Sequence, residues 1–161
     1  MAYQLFLSHS FVNEKLVEEL KSSFKQPGVD LYVAESDPRY GSSLPSKIEE
    51  AINSSDALLV ILTKDASNSA SVNQEIGYGK GAGKMIIALV EEGVNPGVLL
   101  QGTEQLRFSL DRLAEAFSKV VAFVERKAKK KESDSTFWFL LGVAAVAIIA
   151  MVVVAVSMSK K

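Results

Sequence analysis

A carboxylate near the start of a predicted helix is the first candidate for chemistry in this chain. Residues 69–75 read Ser-Ala-Ser-Val-Asn-Gln-Glu and predict a helix that opens near Ser71, with Ser71 and Gln74 as a capping box. Glu75 then lies in the first turns, where a carboxylate suits the helix dipole. It also lies beside Ile76 at the edge of the apolar face, and a partly buried carboxylate is a site candidate. Stabilisation of a helix end and a functional role both stay open at this point.

A lone histidine and a polar turn are two further candidates. His9 is the only histidine of the chain and follows an apolar run at residues 3–7. A single histidine more often makes a structural hydrogen bond than it takes part in catalysis, and both roles stay open. Residues 37–41, Asp-Pro-Arg-Tyr-Gly, are typical of a surface turn, and such loops often carry function. Arg39 has the fork geometry to bind a phosphate with two hydrogen bonds, although a solvated arginine fits the pattern equally well.

A glycine-rich run at residues 77–84 is similar to nucleotide-binding loops in composition, but not in the positions or structural context that such loops require. A Walker A loop needs a glycine five residues before its final glycine and Ser or Thr after its lysine, and Tyr78 and Met85 occupy those positions. A dinucleotide fingerprint follows a strand and opens a helix, whereas this run is predicted to end a helix. We therefore interpret it as a glycine-rich helix end that packs closely against a sheet.

Composition excludes several other chemistries. The chain of 161 residues has no cysteine, which excludes a disulfide scaffold, a zinc–thiolate site and a cysteine nucleophile. One histidine excludes a multi-histidine metal site. Lys and Arg number 18 against 19 Asp and Glu, for a net charge of −1. That balance argues against a nucleic-acid partner bound through bulk positive charge.

The predicted elements alternate between strands and helices. Apolar residues recur every four positions at Val12, Leu16, Leu20 and Phe24, as on one face of a helix. The connections between strands are long enough for parallel pairs and too long for hairpins. The pattern predicts an α/β fold with a flavodoxin-like, five-stranded parallel sheet. The predicted strands are 3–7, 29–34, 57–63, 85–90 and 105–107.

A ligand crevice in such a sheet lies at the carboxyl ends of the strands. The segments that follow the first three predicted strands should therefore be nearest to a site. These segments are 8–11, 35–43 and 64–75. Glu75, His9 and Arg39 all fall within them, so the topology predicts that the three candidates share one edge of the sheet.

A long uncharged segment follows the predicted globular part. Residues 137–156 contain no charged side chain, and 20 helical residues rise about 30 Å, the thickness of a bilayer's hydrocarbon core. Aromatic residues at its start suit the membrane interface. We expect a transmembrane helix at 137–158, a basic juxtamembrane linker at 125–136 and one globular domain at 1–124.

The charges that flank this segment predict its orientation. More basic residues precede the apolar run than follow it, which favours a cytoplasmic N-terminal side. Residues 1–7 lack the basic start and the long apolar stretch of a signal peptide. We expect a tail-anchored, single-pass membrane protein with its domain in the cytoplasm. The basic residues are Arg126, Lys127, Lys129, Lys130 and Lys131 before the run, and Lys160 and Lys161 after it.

Five segments, taken in order, resemble a prokaryotic TIR domain (Toll/interleukin-1 receptor/resistance protein). They are Phe6-Leu7-Ser8-His9-Ser10, Gly41-Ser42-Ser43-Leu44, Ser55-Asp56-Ala57, Ser69-x-Ser71-Val72-x-x-Glu75-Ile76-x-x-Gly79 and Met85-Ile86-Ile87. The second segment corresponds to the BB loop of the family. The resemblance covers about residues 3–124, and the family's flavodoxin-like fold agrees with the predicted order of elements.

This resemblance implies an enzyme that acts on NAD. Many TIR domains cleave the bond between nicotinamide and ribose, and some release a cyclic ADP-ribose isomer as a signal. The family's catalytic glutamate falls on Glu75, with NAD as substrate, no cofactor and no metal. The substrate-binding residues that we expect beside it are Ser8, His9, Ser10, Phe11, Arg39 and Ser71.

The resemblance also implies self-association and a role in defence or stress signalling. A neighbour's BB loop, here Asp37, Arg39, Tyr40 and Gly41, helps to complete the pocket in the family. Ser71 departs from the pattern, because relatives often have a tryptophan there that stacks on the substrate. That departure supports an alternative, a non-enzymatic membrane-anchored TIR adaptor that recruits protein partners. A third hypothesis is a flavodoxin-like binder of flavin or phosphate.

Overall fold

The computed structural model describes residues 2–10, 14–24, 28–33 and 44–158. Within these ranges, side chains are described up to residue 136, except at positions 14, 44, 45 and 135. By its contacts the chain divides into two units, Met1–Glu125 and Arg126–Lys161.

Strands and helices alternate as the sequence predicts, except between the last two strands, where a short 3₁₀ turn at Val98–Leu100 takes the place of a helix. The strands are β1 (Tyr3–Ser8), β2 (Val29–Val33), β3 (Ala57–Leu62), β4 (Met85–Glu91) and β5 (Glu104–Phe108). The helices are α1 (Glu14–Ser23), α2 (Leu44–Ser54), α3 (Ala70–Gly81) and α4 (Leu113–Met158). Five strand boundaries differ by one residue from the prediction: the C-terminal ends of β1, β3 and β4 and both ends of β5. The predicted end of β2, Ala34, lies outside the described residues.

All strand pairs in the sheet are parallel, in the order β2-β1-β3-β4-β5. This is the flavodoxin-like order, so the predicted fold class is confirmed. The central strand β3 is buried along its whole length, as its continuous apolar sequence predicts. The order puts the ends of β1 and β3 side by side, because Ser8 pairs with Val60.

One face of the sheet packs against α2 and α3. Phe6, Leu58 and Val60 from the strands form a buried cluster with Ile52 of α2 and Ile76 of α3. Side chains two residues apart on a strand point to the same face. Ser8 therefore points toward the α3 side, as Phe6 does.

The glycine-rich run ends α3, as predicted, and does not form a phosphate loop. Lys84, at the end of the run, donates from Nζ to the carbonyl oxygens of Asn53 at 2.6 Å and Ser55 at 2.8 Å. Those carbonyls lie at the C-terminus of α2, where a cation is favourable for the helix dipole. The lysine thus stabilises a helix end.

Two glycines of α3 are expected to respond in opposite ways to alanine. Gly77 has open space where a Cβ would be, so Gly77→Ala should raise the free energy of unfolding by about 0.5–1 kcal/mol. A Cβ at Gly79 would lie 3.0 Å from Cδ2 of the fully buried Leu58, and overpacking costs about 1–3 kcal/mol. Gly79→Ala should therefore lower that free energy. Urea unfolding of the full chain measures both, and equal stabilisation by the two variants would refute the close packing at Gly79.

The last helix extends past residue 124, where the sequence analysis places the end of the globular domain. The backbone is helical from Leu113 to Met158 and includes residues 125–136, which the sequence predicts as a linker. Alanine, glutamate, lysine and arginine dominate this stretch and favour helix. The predicted anchor at 137–158 lies outside the residues whose side chains are described.

Among the residues whose side chains the structure describes, which end at residue 136, no helix is both long enough and apolar enough to cross a bilayer.

Candidate functional site

A short 3₁₀ turn and a serine cap determine where α3 begins. The turn at Ala66–Asn68 follows β3, and Ser69 is the N-cap of α3, with its side chain accepting from the backbone N–H of Val72 at 3.4 Å. The predicted capping box of Ser71 and Gln74 is therefore wrong. Ser71 is already helical and exposed, and the extended backbone of Ser69 suits the cap position. The N-cap therefore lies two residues earlier than predicted.

Glu75 is a buried carboxylate on the sheet side of α3. It lies three residues after Val72 and one before Ile76, which both pack in the apolar cluster, and only 7% of it is exposed. The Oγ of Ser8 donates to its Oε2 at 2.5 Å, within the usual range for a hydroxyl bonded to a carboxylate. The contact joins the end of β1 to the second turn of α3, so the structure brings two of the predicted site residues together.

Burial raises the pKa of Glu75 to about 7, from an ordinary value of 4.5, and the Ser8 hydrogen bond partly opposes this rise. Burial acts because it removes water from the charged form. Among the described residues, no lysine, arginine or histidine forms an ion pair with Glu75. A desolvated carboxylate without a counter-charge interacts strongly with any cation that enters its surroundings.

His9 follows Ser8 in the chain, and one of its two ring nitrogens lacks a hydrogen-bond partner among the described residues. Its Nδ1 lies 3.1 Å from the carbonyl oxygen of Ser10. A carbonyl only accepts, so Nδ1 carries the hydrogen, and Nε2 of the neutral ring is then an acceptor. This Nε2 is buried and has no hydrogen-bond partner among the described residues. An N–H or O–H group of a ligand would satisfy it.

Two further predicted site residues, Ser10 and Ser71, are described by the structure. Ser10 is buried, next to His9 in the chain. Ser71 is exposed on the first turn of α3, with its Oγ 3.4 Å from that of Ser69. The other predicted positions lie outside the described residues. They are Phe11 and the BB-loop residues Asp37, Arg39, Tyr40 and Gly41.

A charged cavity that the sequence analysis did not anticipate lies at the end of β5. Its volume is about 210 Å³, and its lining includes Arg112 and Lys119. Both cations already face carboxylates of the same cavity, Arg112 with Glu92 at 3.5 Å and Lys119 with Glu115 at 2.6 Å. Among the described residues, no cluster of three or more His, Cys, Asp or Glu could hold a metal ion.

Comparison with solved structures agrees with the fold. A CMP N-glycosidase from Clostridium botulinum superposes with a TM-score of 0.53 at 21% identity, covering 73% of this chain and 97% of that one. The TIR domain of a Toll-related receptor from Hydra magnipapillata gives 0.59 at 16% identity, covering 80% and 99%. A prokaryotic SEFIR domain gives 0.52 at 16% identity, covering 75% and 91%. At these identities the likeness establishes the fold alone.

Sequence comparison establishes the family. A search of curated protein sequences gives no match. The family model described as "TIR domain" matches residues 5–131, which is 127 of the 161 residues of the chain. The matched range includes Ser8, His9 and Glu75. The chain therefore belongs to the TIR domain family.

Proposed function

We propose that this chain is a TIR-type NAD glycohydrolase that cleaves the bond between nicotinamide and ribose, with Glu75 as its catalytic residue. The observation that supports this most strongly is the environment of Glu75. Its carboxyl group is buried, has a pKa raised to about 7, and has no cationic partner among the described residues. Perturbed carboxyls of this kind are concentrated at functional sites.

The chemistry of NAD cleavage matches a lone buried carboxylate. As the glycosidic bond breaks, its electron pair leaves with nicotinamide, and the ribose becomes an oxocarbenium-like cation. The nicotinamide of NAD is already cationic and departs neutral, so it needs no acid. A preorganised carboxylate beside the sugar stabilises the developing positive charge in a dry site. Water then adds to the sugar and releases a proton, which gives ADP-ribose, whereas attack by the adenine would give a cyclic isomer.

Other predicted residues have supporting roles in this proposal. The Nε2 of His9 is an acceptor for a sugar hydroxyl or an amide of the substrate. Arg39 would bind a phosphate of NAD through two hydrogen bonds. Ser10, Phe11 and Ser71 remain predicted substrate contacts. No resident cofactor takes part, because NAD is consumed as the substrate.

A second candidate substrate is a pyrimidine nucleotide. The solved structure of a CMP N-glycosidase has the same fold. The cytosine base of CMP is uncharged while attached and would depart as an anion, so it needs a proton as the bond breaks, and a carboxyl with a pKa near 7 can supply one. NAD and CMP therefore require opposite protonation states of Glu75. We favour NAD, because Glu75 is the one buried carboxyl among the described residues and NAD cleavage requires only an ionised carboxylate.

Membrane attachment and self-association complete the proposal. We propose a prokaryotic-type, tail-anchored protein whose apolar segment 137–158 crosses the membrane once and whose TIR domain faces the cytoplasm. Confinement to a membrane raises the effective concentration of neighbouring domains. Contact through the BB loop, at Asp37, Arg39, Tyr40 and Gly41, would then switch the enzyme on in a defence or stress response. The non-enzymatic adaptor is the alternative, supported by Ser71.

The test is product analysis of the full chain in phospholipid vesicles. NAD and CMP are supplied separately at low and high surface densities of the protein, and products are identified by mass spectrometry. We expect nicotinamide from NAD, with a rate per molecule that rises with surface density. Cytosine release from CMP alone would favour the second candidate. If neither nucleotide is cleaved at any surface density, the result would refute the enzyme and favour the non-enzymatic adaptor.

A further inference from the structure

The hydroxyl of Ser8 makes the two oxygens of the Glu75 carboxyl different. Ser8 is the last residue of β1 and is fully buried. Its Oγ donates to Oε2 of Glu75 at 2.5 Å, across 67 positions of sequence. Among the described residues, the hydrogen bond to this carboxyl reaches Oε2 alone, and Oε1 is not one of the fully buried atoms that lack a partner. One oxygen is thus held by the protein, and the other is left for a ligand.

The hydrogen bond from Ser8 also stabilises the charged form of the Glu75 carboxyl group. Burial disfavours the carboxylate, and the Ser8 hydrogen bond is the one described contact that opposes burial. The donor cannot drift into solvent, because Ser8 lies in a central strand whose backbone pairs with β2 and β3 on either side. A fixed donor of this kind sets the side-chain orientation of its partner as well as its charge.

We propose that Ser8 is a positioning residue, whose hydroxyl holds Oε2 of Glu75 so that Oε1 faces the sugar of the substrate. The substrate part of this inference rests on the proposed NAD glycohydrolase function. The role differs from the direct substrate contact that the family resemblance implies for Ser8. A fully buried hydroxyl already committed to a carboxylate acts through that carboxylate.

The first measurement follows the proton on Glu75 directly. Carboxyl carbons are labelled with carbon-13 in the full chain, and the Glu75 signal is titrated in wild type and in Ser8→Ala. Removal of the donor should move the titration midpoint upward by about one pH unit, which is a tenfold change in proton affinity. Ser8→Cys keeps nearly the same volume with a weak donor. Ser8→Cys should therefore shift the titration midpoint in the same direction. It provides a second test in case the alanine variant does not fold.

A buried serine elsewhere supplies the matched control. Ser55 is also buried, but its hydroxyl donates to the carbonyl oxygen of Ala51 at 2.7 Å. Ser55→Ala should leave the Glu75 titration where it is in wild type. An equal shift in the control would mean that the signal reports general loosening of the fold, and this would overturn the positioning role.

The second measurement is the pH dependence of NAD cleavage. In Ser8→Ala the rate at pH 7 should fall about fivefold, because the ionised fraction of Glu75 falls from about one half to about one tenth, and it should recover as pH rises and more carboxylate forms. An unchanged Glu75 titration in Ser8→Ala and Ser8→Cys would overturn the positioning role, whether or not NAD is cleaved. A shifted titration in a chain that cleaves no NAD would support the positioning role and refute the proposed function.

Discussion

Glu75→Gln is expected to lower the rate of nicotinamide release from NAD by about 100- to 1,000-fold, the usual effect of removing one electrostatic contact to a transition state. Glutamine keeps the shape of the side chain and can still bond with Ser8. It lacks the negative charge that would stabilise a cationic ribose. The rate is measured on the full chain in vesicles at high surface density.

Glu50→Gln is the matched control for that variant. Glu50 lies exposed on α2, so the same chemical change occurs away from the buried site. The control should release nicotinamide at the wild-type rate. Wild-type activity in Glu75→Gln would remove Glu75 from the mechanism. Equal losses in both variants would indicate a general charge effect.

The stability of the protein should also depend on Glu75 in a defined pH window. The pKa of Glu75 is about 7 in the folded state against an ordinary value of 4.5. Between these values the folded chain keeps a proton that the unfolded chain releases, so the free energy of unfolding falls as pH rises. The stabilisation is fully present below pH 4.5 and is lost above about pH 7. Its size is roughly 3 kcal/mol, because each pKa unit corresponds to about 1.4 kcal/mol.

Glu75→Gln removes this dependence, since an amide does not titrate in that range. The free energy of unfolding of the variant minus that of wild type should therefore be larger at pH 8 than at pH 4.5, by roughly 3 kcal/mol. Urea unfolding of the full chain at a series of pH values, followed by tyrosine fluorescence, measures this difference. A difference between the two proteins that stays constant with pH would contradict a raised pKa at a buried Glu75 that has no cationic partner among the described residues.

The sheet was predictable from sequence because its signals are local. An uninterrupted apolar run such as 57–62 predicts a strand covered on both faces, and the length of each connection requires parallel pairing. The edge of the sheet at which the candidates lie follows from the same topology. The family resemblance then singled out Glu75 from the other carboxylates of the chain.

The contact between Ser8 and Glu75 was not predictable in the same way. Sequence assigned both residues to one edge, but the bond depends on how α3 lies over β1, and no pattern within either segment encodes that distance. The cap of α3 was mispredicted for a related reason. Ser69 and Ser71 both precede the apolar face, and the backbone conformation at Ser69 decides between them. Propensity alone could have predicted that residues 125–136 are helical.

The dependence of NAD cleavage on pH tests the central claim most directly. If an ionised Glu75 stabilises the cationic ribose, nicotinamide release by wild type should rise with pH, with a midpoint near 7, and then level off. Glu75→Gln should give a low rate at every pH. A wild-type rate that falls as pH rises through 7, or that does not change, would contradict catalysis by the carboxylate form of Glu75.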